Sequence, residues 1–341
     1  MRTIDWEKEK NCIVMIDQTL LPREYKVIEC STIECLCEAI IKLRVRGAPA
    51  LGAAGGFGVA LAAQRSKASS LDGAMKDIEA AGKTIISTRP TAVNLSWGVK
   101  RVLNAVEGAR NMKEVRLFAL DEAKAIADED VEKNKELGEH GAMLLDDGDT
   151  VMTHCNAGRL ACVDWGTALG VIRSARAQGK DIKVISCETR PLNQGSRITT
   201  WELMEDKIPV TLITDSMSGH VMRKGMVDKV IVGADRITQD AVFNKIGTYT
   251  HSVIAKEHDI PFYVAAPVST FDFEHMEDEI EIELRKPDEL KYFGNHQIAP
   301  LEVEVYNPAF DATPMEYVSA IITENGVYYP PFLIGEVKIK V

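Results

Sequence analysis

The sequence has no metal-binding or redox motif at the usual spacing. None of its seven cysteines (Cys12, Cys30, Cys35, Cys37, Cys155, Cys162 and Cys187) forms a CxxC pair, and its seven histidines form no HExxH. On spacing alone neither a structural zinc site nor a metal cofactor is expected. The odd cysteine count, and a start (MRTIDWEKEK) without an apolar signal region, point to a reducing cytoplasm. Long apolar runs are missing too. The longest, 48–63, is broken by glycines and is too short to cross a bilayer, so no membrane association is expected. A basic excess is also absent: the formal net charge is −11 at pH 7, with acidic residues scattered rather than blocked. That argues against a nucleic-acid surface, which needs a basic face to track phosphates, but leaves room for a local basic pocket.

What is present is enough apolar material for one large domain or two ordinary ones: 341 residues, 45% of them hydrophobic. Residues 1–30 read as short extended segments, with 11–17 the clearest strand, and 32–44 reads as a helix. A glycine and alanine run follows, then helical periodicity over 70–87, 91–108 and 113–145. From about residue 148 short β-rich runs at 150–154, 183–187, 210–214, 229–232 and 262–265 alternate with helical stretches at 161–178, 199–206, 218–224 and 246–257. This spacing predicts an α/β protein whose later part is a doubly wound parallel sheet.

Ligands of such sheets bind beyond the carboxyl ends of the strands. The residues that follow the runs are polar: Cys155-Asn156-Ala157-Gly158, Glu188-Thr189-Arg190-Pro191, Asp215-Ser216, Gly233-Ala234-Asp235-Arg236 and Pro267-Val268-Ser269-Thr270. Cys155 lies between a strand and a glycine turn expected to open a helix, where the helix dipole favours a thiolate; the plain alternative is a buried small hydrophobe. Asp235 ends an apolar strand and suits acid or base chemistry, or else an N-cap or an ion pair with Arg236. Arg46, Gly47 and Ala48 lead into a helix whose first N–H groups, with the guanidinium, would cradle a phosphate; tight helix packing is the other reading. Asn244 and Lys245, before Gly247 and Thr248, are expected to begin a helix with a cation, suited to a phosphate or sugar hydroxyl or only to a cap. Arg89 and Gln194 are loop polar groups that no spacing singles out. His154 precedes Cys155 and is expected on the opposite face of the strand, which disfavours a Cys–His dyad.

Collected in order, the runs Arg46-Gly-Ala-Pro-Ala, Thr88-Arg-Pro-Thr-Ala-Val-Asn94, Thr153-His-Cys-Asn-Ala-Gly158, Glu188-Thr-Arg-Pro191 with Gln194-Gly195, Val232-Gly-Ala-Asp-Arg236, Asn244-Lys-Ile-Gly-Thr248 and Asn307-Pro-Ala-Phe-Asp311 resemble the methylthioribose-1-phosphate isomerase family. That family is related to the regulatory subunits of the exchange factor for translation initiation factor 2. The resemblance spans about residues 10–328. It implies a homodimer without metal or nucleotide, with a smaller N-terminal domain, taken as 1–125, and a Rossmann-like C-terminal domain, 126–341. It puts the catalytic pair on Cys155 and Asp235, and substrate contacts on Arg46, Gly47, Ala48, Arg89, Gln194, Asn244 and Lys245. The implied reaction turns 5-methylthio-α-D-ribose 1-phosphate into 5-methylthio-D-ribulose 1-phosphate in methionine salvage. Arg159, Cys162 and Asp164 stand where smaller or apolar residues are expected, which leaves the 5-substituent open between methylthio, deoxy and a second phosphate. A non-catalytic regulatory subunit is the alternative from a different class.

Overall fold

Ile4–Glu7 (β1) alternates buried Ile4 and Trp6 with more open Asp5 and Glu7, the period of a half-buried strand. It pairs antiparallel with Cys12–Ile16 (β2), which pairs with Val27–Cys30 (β3). Thr32 accepts a hydrogen bond from the Cys35 N–H and opens Ile33–Ile41 (α1); Ala48–Arg65 (α2) follows, and Ser70 caps Leu71–Ser87 (α3) in the same way as Thr32. Val93–Val106 (α4) and the long Met112–Ala142 (α5) complete the helices of this part. The computed structural model describes residues 1–90, 92–332 and 335. Thr91 of the motif at 88–94, and 333–334 and 336–341 of the expected C-terminal domain, lie outside the described residues. The chain divides into two units, Met1–Lys135 with Gly158–Gly166, and Glu136–Ala157 with Thr167–Val341.

In the first unit the glycine and alanine run is α2, buried along most of its length. Its small residues let α4 lie directly against it. A Cβ on Gly98 would stand 2.0 Å from the Gly52 carbonyl oxygen, and one on Gly55 2.6 Å from that of Leu95. The contacts advance together, from Gly52 beside Asn94 and Trp97 to Gly56 beside Val102. The two helices therefore run parallel, with their N-terminal ends on the same side.

The segment Gly158–Gly166 corrects the expected helix at 161–178. An antiparallel bridge between Gly158 and Gly166 closes it into an excursion, Arg159–Ala161 forms one 3₁₀ turn, and the helix begins only at Ala168. Thr3 Oγ1 donates to the Arg159 carbonyl (2.6 Å), Gln18 Nε2 to that of Leu160 (2.7 Å), and the Val163 N–H to the Asp130 carboxylate (2.7 Å). Leu160, Ala161, Cys162 and Val163 are buried by a fixed loop rather than by a helix face, and an apolar run alone does not distinguish the two. Burial pushes the Asp130 carboxyl up to about 7, against the opposing Val163 N–H and Asn134 side chain.

The second unit runs Thr150–Thr153 (β4), Ala168–Ala177 (α6), Lys183–Cys187 (β5), Thr200–Glu205 (α7), Val210–Ile213 (β6), Ser218–Arg223 (α8) and Lys229–Val232 (β7). Arg236–Ile237 (β8), Ala241–Lys245 (β9), Thr248–Glu257 (α9) and Phe262–Ala265 (β10) follow. Then come Asp288–Lys291 (α10), Tyr292–Phe293 (β11), His296–Gln297 (β12), Phe310–Pro314 (β13), Ala320–Thr323 (β14) and Gly326–Tyr328 (β15). The main sheet has the order β15-β14-β10-β7-β4-β5-β6, parallel throughout except for β15. The chain lays down β4 in the middle, builds outward through β5 and β6, then returns to the other side through β7, β10 and β14. The order of strands thus reverses between β4 and β7, the place beyond the strand ends where sheets of this kind bind their ligands. The five strands read from the sequence are all here. Asn244 and Lys245, expected at a helix start, belong instead to β9 in a separate sheet of order β13-β9-β8; α9 starts at Thr248.

Gly98→Ala is expected to cost about 1–3 kcal/mol, because the new methyl must displace backbone. A lowered urea midpoint at unchanged slope reads this out, and an unaltered midpoint would show that α2 and α4 are not held so close. Asp130 gives a pH test. Its folded carboxyl titrates near about 7, above the ordinary value of 3.8, so its contribution is full below the unfolded value and is lost as pH rises through the folded one. The stability of Asp130→Asn relative to the parent should therefore rise between about pH 4 and about pH 7. A constant difference across that window would contradict a buried, raised carboxyl.

Candidate active site

Cys155 follows β4 and Asp235 follows β7, neighbouring parallel strands on the two sides of the reversal in strand order. Gly233 permits the close approach of the two turns: a Cβ there would lie 2.6 Å from the Cβ of Ala157. Arg236 pairs with Asp272 at 2.8 Å. Asp235 is partly buried, and its N–H donates to the Phe243 carbonyl.

Cys155 has φ +64, a left-handed conformation that a residue with a Cβ seldom adopts. Its N–H donates to Thr189 Oγ1 (2.8 Å), and its carbonyl accepts from Thr199 Oγ1 (2.6 Å). Thr199 ends a π-helical turn, Gly195–Thr199, a rare backbone form that often marks functional sites. Asn156 Nδ2 donates to Thr199 Oγ1 (3.1 Å) and to Glu202 Oε1 (2.9 Å). Glu202, with no exposure at all, is held in turn by the Arg173 guanidinium at 2.8 Å, and Arg173 also reaches Asp206 at 2.6 Å. Burial alone would lower Arg173, but these two carboxylates hold it above its ordinary range. The helix expected to start at Gly158 is the excursion described above, so the turn at Cys155 is supported by side-chain hydrogen bonds and not by the start of a helix.

His154 is buried, and both ring nitrogens are engaged: Nε2 donates to the Ile246 carbonyl (2.9 Å), and Nδ1 lies 3.1 Å from Nε2 of His251. With the Nε2 proton committed to a carbonyl, Nδ1 is the acceptor. Burial lowers His154 to about 4 and His251 to about 3, so both rings are neutral near pH 7. His154 thus anchors the turn rather than forming a dyad with the thiol.

Gln194 is buried, and its Oε1 is without a hydrogen-bond partner among the described residues. Such an orphaned acceptor is costly unless something completes it. Gly195 beside it is obligatory, since a Cβ would fall 1.6 Å from the Cys187 carbonyl oxygen. Asn244 donates to Thr248 Oγ1 (3.1 Å), while Lys245 Nζ donates to the Ala309 carbonyl (2.8 Å) and stands 4.7 Å from the Phe310 ring centroid. The N-terminus of α9 is already filled by a carboxylate, because Asp311 accepts from the N–H groups of Gly247 (2.7 Å) and Tyr249 (3.2 Å). Burial raises Asp311 to about 6 in spite of these donors.

In the first unit Gly47, at φ +94, precedes Ala48 at the N-terminus of α2; a Cβ on Gly47 would stand 2.3 Å from the Ala161 carbonyl oxygen. Arg46 Nε donates to Gln18 Oε1 (3.2 Å). Arg89 lies between α3 and α4, just before the N-terminal end of α4. Since α2 and α4 run parallel, Arg46, Gly47, Ala48 and Arg89 are at the same end of this helix pair. Thr189, Thr199, Asn156 and Glu202 were not singled out from the sequence. Asn156 and Thr189, at strand ends, left a trace there.

The model of the Initiation factor 2 subunit family matches residues 44–330. A protein of Methanosarcina acetivorans, provisionally named methylthioribose-1-phosphate isomerase, is 67% identical over 339 residues, 99% of this chain and 97% of its own. Among solved structures, the 5-methylthioribose 1-phosphate isomerase of Pyrococcus horikoshii OT3 has a TM-score of 0.92 at 44% identity, over 98% of this chain and 96% of that one. A chain described as translation initiation factor eIF-2B, subunit delta, from A. fulgidus has a TM-score of 0.89 at 61% identity, over 97% and 96%.

The support under Cys155 can be tested at Glu202. Glu202→Leu takes a carboxylate from the buried Arg173 and an acceptor from Asn156, and should cost about 3–5 kcal/mol. Denaturant unfolding measures the loss; a change below about 1 kcal/mol would mean that the network does not hold the turn.

Proposed function

The chain belongs to the initiation factor 2 subunit family, and from that premise we propose that it is an aldose–ketose isomerase acting on 5-methylthio-α-D-ribose 1-phosphate in methionine salvage. The observation that carries this reading is the pair Cys155 and Asp235 at the ends of adjacent strands where the strand order reverses. The full-length identity to named isomerases supports it, and so does the buried, unpartnered acceptor of Gln194.

The substrate class sets a specific difficulty. A sugar phosphorylated at its anomeric carbon cannot open spontaneously to an aldehyde. In the proposed mechanism Asp235 protonates the ring oxygen and the C1–O bond to it breaks while the phosphate stays on C1. One hydrogen then moves from C2 to C1, and the proton lost by the C2 hydroxyl balances the one given to the ring oxygen. The product is the C2 ketone. Solvent deuterium at C1 of the product marks a proton carried by Cys155; its absence marks a direct hydride shift. Arg46 with the N–H groups of Gly47 and Ala48, and Arg89, suit the phosphate. Gln194, Asn244 and Lys245 complete the proposed contacts. A homodimer and a cytoplasmic setting belong to the same proposal.

A second reading, a regulatory subunit, is favoured by the name given to the A. fulgidus neighbour. A ketose-formation assay separates the two. Turnover of methylthioribose 1-phosphate by the parent is expected, with losses of about 10²–10⁴-fold in Cys155→Ala and Asp235→Asn. Full activity in either variant would remove that residue from the mechanism, and no turnover of any pentose 1-phosphate would favour the binding protein. Faster turnover of ribose 1,5-bisphosphate or 5-deoxyribose 1-phosphate would reassign the 5-substituent.

A further inference from the structure

Four side chains that the isomerase chemistry does not use converge beside the Cys155 turn. They are His154 after β4, Cys187 at the end of β5, Asp215 after β6 and His251 in α9, and their potential ligand atoms all lie within 4.8 Å of one another. The histidine nitrogens are 3.1 Å apart, and His154 Nδ1 is 3.7 Å from Asp215 Oδ1. Around a tetrahedral zinc with bonds of about 2.0–2.3 Å, ligand atoms stand about 3.3–3.7 Å from each other, so only small side-chain movements separate this cluster from a closed coordination shell.

We propose that His154, Cys187, Asp215 and His251 form a four-ligand site for a zinc-type divalent cation, with a structural role adjoining the catalytic turn. The charges balance: two neutral imidazoles, a thiolate and a carboxylate cancel a divalent ion, which matters where three of the four residues are buried. One thiolate and two imidazoles select a borderline to soft metal over magnesium or calcium. Supporting bonds are in place. His154 is oriented by donation to the Ile246 carbonyl, and the Asp215 carboxylate by the N–H groups of Thr189 (2.8 Å) and Arg190 (2.7 Å).

In the metal-free arrangement His251 Nε2 donates to His154 Nδ1, and His251 Nδ1 is without a partner among the described residues in either tautomer. On binding, Cys187 gives its thiol proton to solvent and its sulfur bonds the metal, while the His251 proton moves from Nε2 to Nδ1, freeing both facing nitrogens for the ion. With four protein ligands no position is left for substrate, which fits a structural rather than a catalytic metal.

Cobalt provides the test, independently of any activity. Full-length protein stripped by a chelator and titrated with Co²⁺ should take up one equivalent, with the visible bands of tetrahedral cobalt and a near-ultraviolet thiolate-to-metal band. Zinc should bleach the spectrum by displacing cobalt, and either metal loaded on the stripped protein should release one proton per ion. Cys187→Ala should lose the thiolate band and His251→Leu should lose stoichiometric binding, whereas His220→Ala, at an exposed position, should match the parent. The absence of a tetrahedral spectrum in the folded parent would overturn the proposal, as would a spectrum unchanged in Cys187→Ala or His251→Leu. Should one ligand variant fail to fold, the parent spectrum and the other variant decide.

Discussion

A residue with a Cβ stays at φ +64 only where its surroundings hold it there, and Cys155 is held at both ends of its peptide unit. The Thr189 hydroxyl accepts from its N–H, and the Thr199 hydroxyl donates to its carbonyl. Much of the second unit follows from that constraint. Thr199 must arrive at the right height, which the π-helical turn achieves by adding a residue to one turn of helix, and Gly195 must pass within touching distance of β5 for that turn to fit. Asn156 shares Thr199 and leans on Glu202, whose buried charge is acceptable only because Arg173 is buried with it. A left-handed thiol at a strand end therefore needs a chain of polar contacts reaching several residues into the sheet's edge.

The sequence makes the scaffold of this arrangement legible and hides its supports. Val- and Ile-rich runs at βαβ spacing locate β4, β5, β7 and β10, because a strand buried on both faces has to be apolar, while the edge strand β6 is located by its Val210, Leu212 and Ile213 although it is largely exposed. The same logic locates Cys155 and Asp235, since strand ends at a reversal of strand order are where an α/β sheet offers its chemistry. Apolar pattern fails where burial has another cause. Ala161 to Val163 read as helix because they are apolar, yet contacts from Thr3, Gln18 and Asp130 hold this segment as a buried loop. Asn244 and Lys245 read as a helix start because Gly247 and Thr248 follow, yet they pair across β9 with Asp311 and Phe310.

Long-range polar partners leave no periodic trace at all. Thr189, Thr199 and Glu202 are ordinary residues of loop and helix until the fold brings them to the Cys155 turn. The cluster His154, Cys187, Asp215 and His251 is the extreme case: its members sit on or after β4, β5 and β6 and inside α9, so no ligand spacing exists to be read. A spacing argument does not bear on such a cluster, because spacing detects only sites built from neighbouring residues.

Thr189 joins these two constructions. Its hydroxyl accepts from the Cys155 N–H, donates to the Cys187 carbonyl (3.1 Å), and lies 3.5 Å from His154 Nδ1, while its own N–H orients Asp215. One residue therefore touches the backbone of the proposed catalytic residue and three of the four proposed ligands, two through its hydroxyl and Asp215 through its N–H. A cation that fixed His154, Cys187 and Asp215 would fix Thr189 between them, and through Thr189 the amide of Cys155. In a protein whose reactive turn is strained, locking the neighbouring strand ends stiffens that turn without placing a metal near the sugar. The proposed cation would in this way serve the proposed reaction without taking part in it.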